Sequence, residues 1–239
     1  NKYGYRSWPC DLYYTDLNGE WGDTDGNGKY DKHSGHILPE IFVGRIATGN
    51  MGRLTAETEG MKRYLDKNHE FWSGATTVNR RYGFSYVDQD WVSNSTFKTD
   101  MQYLYGATNY EAKGYGEAGF GKEEYLGILR NSKYEFIQLA CHASYYHLAM
   151  SGGSIWADEI FNNGTEAIGF NLFCCSACNW ASVSPTSSSG FLAGAHVYNP
   201  QRRTLAVVGS TKTGSMLKFR EFYKPLGEGK PIGMELKTW

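Results

Sequence analysis

With 239 residues, 41% of them apolar, the chain has ample material for one sizeable core. A net charge of −1 leaves no basic excess to neutralise phosphates, which argues against a nucleic-acid partner, and no apolar run approaches the roughly 18 residues of a membrane span. Eighteen Tyr, seven Trp and 29 Gly suit a loop-rich, well-folded protein that works outside the cytoplasm, secreted or at a cell surface.

The opening, to Pro39, is polar and irregular, and residues 11–38 carry an Asp/Gly-rich loop. Asp23-Thr-Asp25-Gly-Asn27-Gly-Lys29-Tyr-Asp31 follows the first nine positions of a calcium loop. Side-chain oxygens fall on Asp23, Asp25, Asn27 and Asp31, a Gly on the sharp turn, and the backbone carbonyl of Lys29 supplies a fifth ligand. Ser34 stands where such loops place a bidentate Glu, so Asp16 or Glu20 has to complete a structural Ca²⁺ site. The plain alternative is a turn cluster that binds nothing. The pattern then predicts a short strand over 40–46, a helix over 54–71, a strand over 76–87 and a helix from Ser95 or Thr96 to Tyr105. A Gly/Tyr-rich connection over 106–121 leads to a helix over 122–130.

Two apolar runs of strand length follow, Glu135-Phe-Ile-Gln-Leu-Ala-Cys-His-Ala-Ser144 and Ala167-Ile-Gly-Phe-Asn-Leu-Phe-Cys-Cys-Ser-Ala-Cys178. The helix-like Ile155-Trp-Ala-Asp-Glu-Ile-Phe161 lies between them, closed by Asn163-Gly164. Strand, helix, strand at this spacing is a βαβ unit with parallel, buried strands. His142 and Cys175 then meet at the carboxyl ends, where open α/β sheets place their sites. A thiol beside an imidazole is the minimum for nucleophilic acyl transfer. His147, inside the following loop, is a rival base with a worse position.

Five cysteines make an odd count, so at least one thiol is free or pairs outside the chain. Cys175 and Cys178 have redox or half-zinc spacing, but no second ligand pair completes a metal set. Cys141 and Cys174 read as buried, packing thiols. The Ser-rich stretch over 182–190 suits a substrate-facing loop. Residues 204–209 form another strand, and the segment from Gly209 to Ser215 lacks the phosphate-loop order, which leaves it as a wall of the cleft. Helices over 216–223 and 233–239 close the chain.

These residues together resemble the gingipain-like cysteine peptidases. The likeness rests on Asp11-Leu-Tyr-Tyr-Thr-Asp-Leu-Asn-Gly-Glu-Trp21, Pro39-Glu-Ile-Phe-Val-Gly-Arg-Ile46, His142-Ala-Ser144 and Asn171-Leu-Phe-Cys-Cys-Ser-Ala177. It continues in Val208-Gly-Ser-Thr-Lys-Thr-Gly-Ser-Met-Leu217 and Phe222-Tyr-Lys-Pro-Leu-Gly227 and covers nearly the whole length. The resemblance implies an α/β protein with the caspase-like three-layer α/β/α sandwich and a mostly parallel sheet, in one peptidase domain over 1–239. It implies a cysteine endopeptidase acting on proteins or peptides, with Arg or Lys preferred before the cut. An inactive caspase-like surface or adhesion domain is the alternative.

By the same resemblance Cys175 is the nucleophile, His142 the base, and Asp88 the acid that orients the base, with Asp90 as its alternate. Backbone amides around Ala143 and Cys175 form the oxyanion hole. Ala143 stands where the family has Gly or Ser. The family sheet also begins with a central strand upstream of the Asp-Leu-Tyr-Tyr motif, and nothing before Trp8 has a strand pattern. A further N-terminal segment or another chain is therefore expected to complete the sheet.

Overall fold

A computed structural model of the chain describes residues 7–76, 81–93, 95–182, 190–214 and 218–238. The first elements are a one-turn helix α1 (Leu12–Thr15), an antiparallel hairpin β1 (Gly19–Gly22) and β2 (Lys32–Gly35), and the long helix α2 (Glu57–Trp72). The body follows with β3 (Gly83–Val87), α3 (Gln89–Val92), α4 (Gln102–Tyr105), β4 (Tyr110–Gly114), α5 (Lys122–Leu129) and β5 (Phe136–Ala140). An antiparallel meander of β6 (His142–Ala143), β7 (His147–Met150) and β8 (Gly153–Trp156) leads into α6 (Ala157–Asn163). The rest comprises β9 (Gly169–Phe173), α7 (Leu192–Val197), β10 (Ala206–Gly209), α8 (Phe219–Gly227) and α9 (Ile232–Thr238).

Five strands form one parallel sheet in the order β10-β9-β5-β3-β4. Every residue of β3, β5 and β9 is buried, as near-continuous apolar runs covered on both faces require. Period-two alternation deals their side chains to two layers. Phe84, Tyr86, Ile137, Leu139, Phe170 and Leu172 pack on one face against α5, α6 and α7. On the other, Val87, Phe136, Ala140 and Phe173 meet Phe97, Met101 and the α8 residues Phe219, Phe222 and Tyr223. Each fully buried Leu or Phe contributes about 1.5–3 kcal/mol. A third cluster joins Tyr64 of α2 to Met51, Phe191 and Tyr198. No helix among the described residues is long and apolar enough to cross a membrane.

Polar side chains cross the middle of the second layer. Ser85, Gln138 and Asn171 stand in register on β3, β5 and β9. Gln138 Nε2 donates to Ser85 Oγ at 3.0 Å and to the Phe97 carbonyl at 2.8 Å, while its Oε1 accepts from Tyr223 OH at 2.6 Å. Asn171 Nδ2 reaches the same hydroxyl at 3.0 Å. The network docks α8 at one rotation against the sheet, since sliding the helix would strand buried polar atoms.

Sequence expectations change here: Ile155 and Trp156, expected to open a helix, end the strand β8 instead, and α6 starts at Ala157. Residues 40–46 form no strand: the amides of Glu40 and Ile41 both donate to the Thr15 carbonyl, and Ile41, Phe42 and Ile46 are exposed. Among the described residues the sheet has no empty central slot, because each strand is hydrogen-bonded to the next from β10 to β4. β3 lies between β4 and β5, and β5 is the middle strand of the five. From β3 the chain runs outward to β4 and returns across to β5, so the order reverses between β3 and β5. Such a switch point opens a crevice at the carboxyl ends of those two strands.

Candidate active site

Both candidate reactive residues lie two positions beyond the ends of paired strands. Ala140 of β5 stands opposite Phe173 of β9, and the ladder runs one step further as the Cys141 amide donates to the Phe173 carbonyl at 3.3 Å. Cys141 and Cys174 are each 1% exposed on the Leu139 and Tyr125 side of the sheet, with their sulfurs 3.6 Å apart. Burial, reinforced by the neighbouring sulfur, pushes the Cys141 thiol well up. Alternation sends the residue after Cys141 to the opposite face. By that parity His142 falls on the Ala140 and Phe173 side, where Trp91 meets it, and Cys175 follows β9 in the turn that begins past Phe173.

Cys175 is part-exposed, and the residue after it is unusual. Ser176 has φ of +59°, the only non-glycine with positive φ among the described residues. Forcing an L-residue there costs roughly 1–2 kcal/mol. The extension of β10 holds it in place: the Ser176 amide donates to the Lys212 carbonyl at 2.9 Å, and that of Cys178 to the Ser210 carbonyl at 3.0 Å. Strain stored beside a part-exposed thiol at a sheet's carboxyl edge is a pattern of functional sites.

His142 Nε2 lies 2.6 Å from Asp90 Oδ2, and the two side chains are 50% and 56% exposed. The Trp91 ring sits 4.9 Å from the imidazole and 5.4 Å from Phe173, which ties the pair to the core. Asp90 and Trp91 both ride on α3, the single turn of helix that follows β3.

Asp88, the expected orienting acid, does not meet His142. It is 1% exposed and continues the alternation of Phe84 and Tyr86, so it points to the opposite face of the sheet. There its carboxylate accepts from the Gln89 amide at 2.7 Å, the Ser151 amide at 2.9 Å and Ser151 Oγ at 2.7 Å. Asp90, the alternate, stands against the imidazole instead, because α3 turns the chain back across the strand end.

The rival residues are engaged elsewhere. His147 Nδ1 pairs with Ser144 Oγ at 2.7 Å at the base of the β6–β7 turn, beside Trp156, and burial lowers its pKa. Cys178 packs against Gly209, and burial pushes its thiol up to about 12, which suits neither redox exchange nor metal ligation. Most of the Ser-rich stretch, residues 183–189, lies outside the described residues.

In the Asp23–Asp31 loop the side-chain oxygens expected to ligate calcium are engaged in hydrogen bonds within the loop. Asp23 accepts from the amides of Gly26, Asn27 and Gly28, Asp25 from Asn27, and Asp31 from the Thr24 amide and hydroxyl. Asn27 Oδ1 is taken by the Lys29 amide, and Asp16 pairs with His33. No three His, Cys, Asp or Glu side chains among the described residues gather as a metal set.

No family model and no curated protein matches the sequence. Solved structures do. The Arg-specific cysteine proteinase gingipain R (RgpB) superposes with a TM-score of 0.54 at 14% identity, over 84% of this chain and 49% of that one. The fold is gingipain-like. The complex of the RgpB pro- and mature domains from Porphyromonas gingivalis gives a TM-score of 0.51 at 13% identity, over 80% of this chain and 45% of that one. The chain therefore spans less than half the length of these gingipain structures.

Beyond the residues read from sequence, the gingipain-like frame brings in Trp91, Ser151 and the strained Ser176. Only the first had a visible signal, an aromatic within one helical turn of two acids after an apolar run.

Proposed function

We propose that this chain is a cysteine peptidase working through Cys175 and His142, with Asp90 as the acid that orients the imidazole. The observation that carries the reading is the solvent-open His142–Asp90 pair at the carboxyl ends of β5 and β3, with the part-exposed Cys175 two residues past the end of the adjoining β9.

With Nε2–H donating to Asp90, the nitrogen left to accept a proton is Nδ1. Cys175 Sγ gives its proton to that nitrogen and attacks the peptide carbonyl. The tetrahedral oxyanion collapses, His142 returns the proton to the leaving amine, and a thioester remains on Cys175. Water, deprotonated by His142, then releases the acid. The Cys175 amide, fixed by the strained turn, and the amide of Ala143 are the donors proposed for the oxyanion. The gingipain-like fold makes proteins or peptides the proposed substrates and an extracytoplasmic setting the proposed location, with peptides cleaved after Arg or Lys the first to try.

Labelling with an acyloxymethyl ketone at neutral pH, followed by a peptide-library cleavage profile, tests this. Modification of wild type on Cys175 and none in Cys175→Ala, together with cleavage, is expected. An unlabelled wild type that cleaves nothing leaves the inactive surface-domain reading instead.

A further inference from the structure

We infer that Asp88 is a positioning residue that clamps together the two segments bearing His142 and its partner Asp90, an inference resting on the peptidase reading above. The His142–Asp90 contact joins pieces of chain 52 residues apart. One piece is the single turn α3, which has four residues and carries both Asp90 and Trp91. The other is the meander β6–β7–β8, which begins at His142 and turns at Ser151 and Gly152. Neither is stiff by itself. A four-residue helix is too short to persist unaided, and β6 has only two residues.

One buried carboxylate holds both. Asp88 caps α3 by accepting the Gln89 amide through Oδ1. The same Oδ1 accepts the Ser151 hydroxyl, and Oδ2 accepts the Ser151 amide. Its own amide donates to the Ala140 carbonyl at 2.8 Å, which anchors the clamp to β5 two residues before His142. Three donors on a carboxylate that is 1% exposed form a charge-assisted set that neither Asn nor Ala reproduces. The clamp lies on the opposite face of the sheet from the imidazole and acts through the backbone, without touching His142 itself. It fixes where His142 and Asp90 meet, and with them the Trp91 ring against the imidazole.

The test reads that geometry directly. In the Cys175→Ala background, the ring-current shift that Trp91 imposes on the His142 ring protons reports the stacking by NMR. Asp88→Asn is expected to move those resonances toward an unstacked imidazole, Ser151→Ala to move them part of the way, and Ser151→Thr to restore them. With Cys175 present, kcat should fall about tenfold or more in Asp88→Asn, with KM little changed, and Ser151→Thr should keep activity. If Asp88→Asn fails to fold, Ser151→Ala decides by itself. Resonances and kcat unmoved in a folded Asp88→Asn, or unmoved in Ser151→Ala when Asp88→Asn cannot fold, overturn the clamp. Shifted resonances in a protein whose wild type hydrolyses nothing uphold the clamp and sink the peptidase reading.

Discussion

The sulfurs of Cys141 and Cys174 touch at 3.6 Å inside the core, so both thiols are withdrawn from solvent while Cys175 stays part-exposed. Cys174 is 1% exposed, so of the two adjacent thiols only Cys175 is open to a substrate. Cys175→Ala is expected to abolish hydrolysis while leaving the melting temperature close to wild type. Cys174→Ala should keep hydrolysis and lose on the order of 1 kcal/mol of packing stability. Steady-state assays paired with denaturant melts check both. A folded Cys174→Ala without activity, beside an active Cys175→Ala, reverses the assignment.

Asp90 and Asp88 lie two residues apart on opposite faces, and their variants should fail differently. Asp90→Asn removes an exposed group, so stability should hold while kcat drops about 10²-fold, within the span of acid–base assistance. Asp88→Asn disturbs a buried carboxylate and should lower stability as well, by roughly 1–3 kcal/mol. Equal activity in Asp90→Asn and wild type refutes the orienting role of Asp90.

The parts of this molecule visible in its sequence are those that repeat a pattern. The apolar runs before His142 and Cys175 have strand length and lie a helix apart, and they fold as β5 and β9 in parallel register. Ser85, Gln138 and Asn171 were silent, because a polar residue inside an apolar run shows its partner only when Tyr223 arrives from a distant helix. The meander between β5 and α6 was hidden for a related reason. Ile155 and Trp156 fit a helical stripe as well as a strand, and the Ser151 anchor that decides between them is a long-range contact. The choice between Asp88 and Asp90 turned on where β3 gives way to α3: alternation alone would put both on one face, and only the helical turn that starts at Gln89 carries Asp90 round to His142.

His196 gives the fold a calculable acid sensitivity. It lies fully buried in α7, with Nδ1–H donating to the Leu192 carbonyl at 2.8 Å and Nε2 without a hydrogen-bond partner among the described residues. Burial lowers its pKa to about 4 from 6.5. Between those values the unfolded chain binds a proton that the folded chain refuses, so stability falls as pH drops through that window. At roughly 1.36 kcal/mol per pH unit, the loss approaches about 3 kcal/mol near pH 4. Urea melts at pH 7 and pH 4.5 should show a smaller pH difference in His196→Leu than in wild type. Parallel curves for the two proteins would place the acid sensitivity elsewhere.

Calcium at the Asp23–Asp31 loop is a proposal with its own test. The amides of Gly28, Gly26 and Asn27 curl the chain around Asp23 and hold its carboxyl below the usual range. Thr24, through its hydroxyl first and its amide second, does the same to Asp31. Ligation therefore requires Asp31 to turn from Thr24 toward the centre of the loop, where Asp25, Asn27 and the Lys29 carbonyl would join it. Thr24→Ala releases Asp31 in advance and is expected to tighten calcium binding. Asp23→Ala removes the residue that organises the curl and should abolish it. Thermal melts with calcium and with chelator give the readout, since a site saturated at 100 times its Kd stabilises by about 2.7 kcal/mol. A melting temperature indifferent to calcium in both wild type and Thr24→Ala would reduce the loop to a cluster of Asx turns.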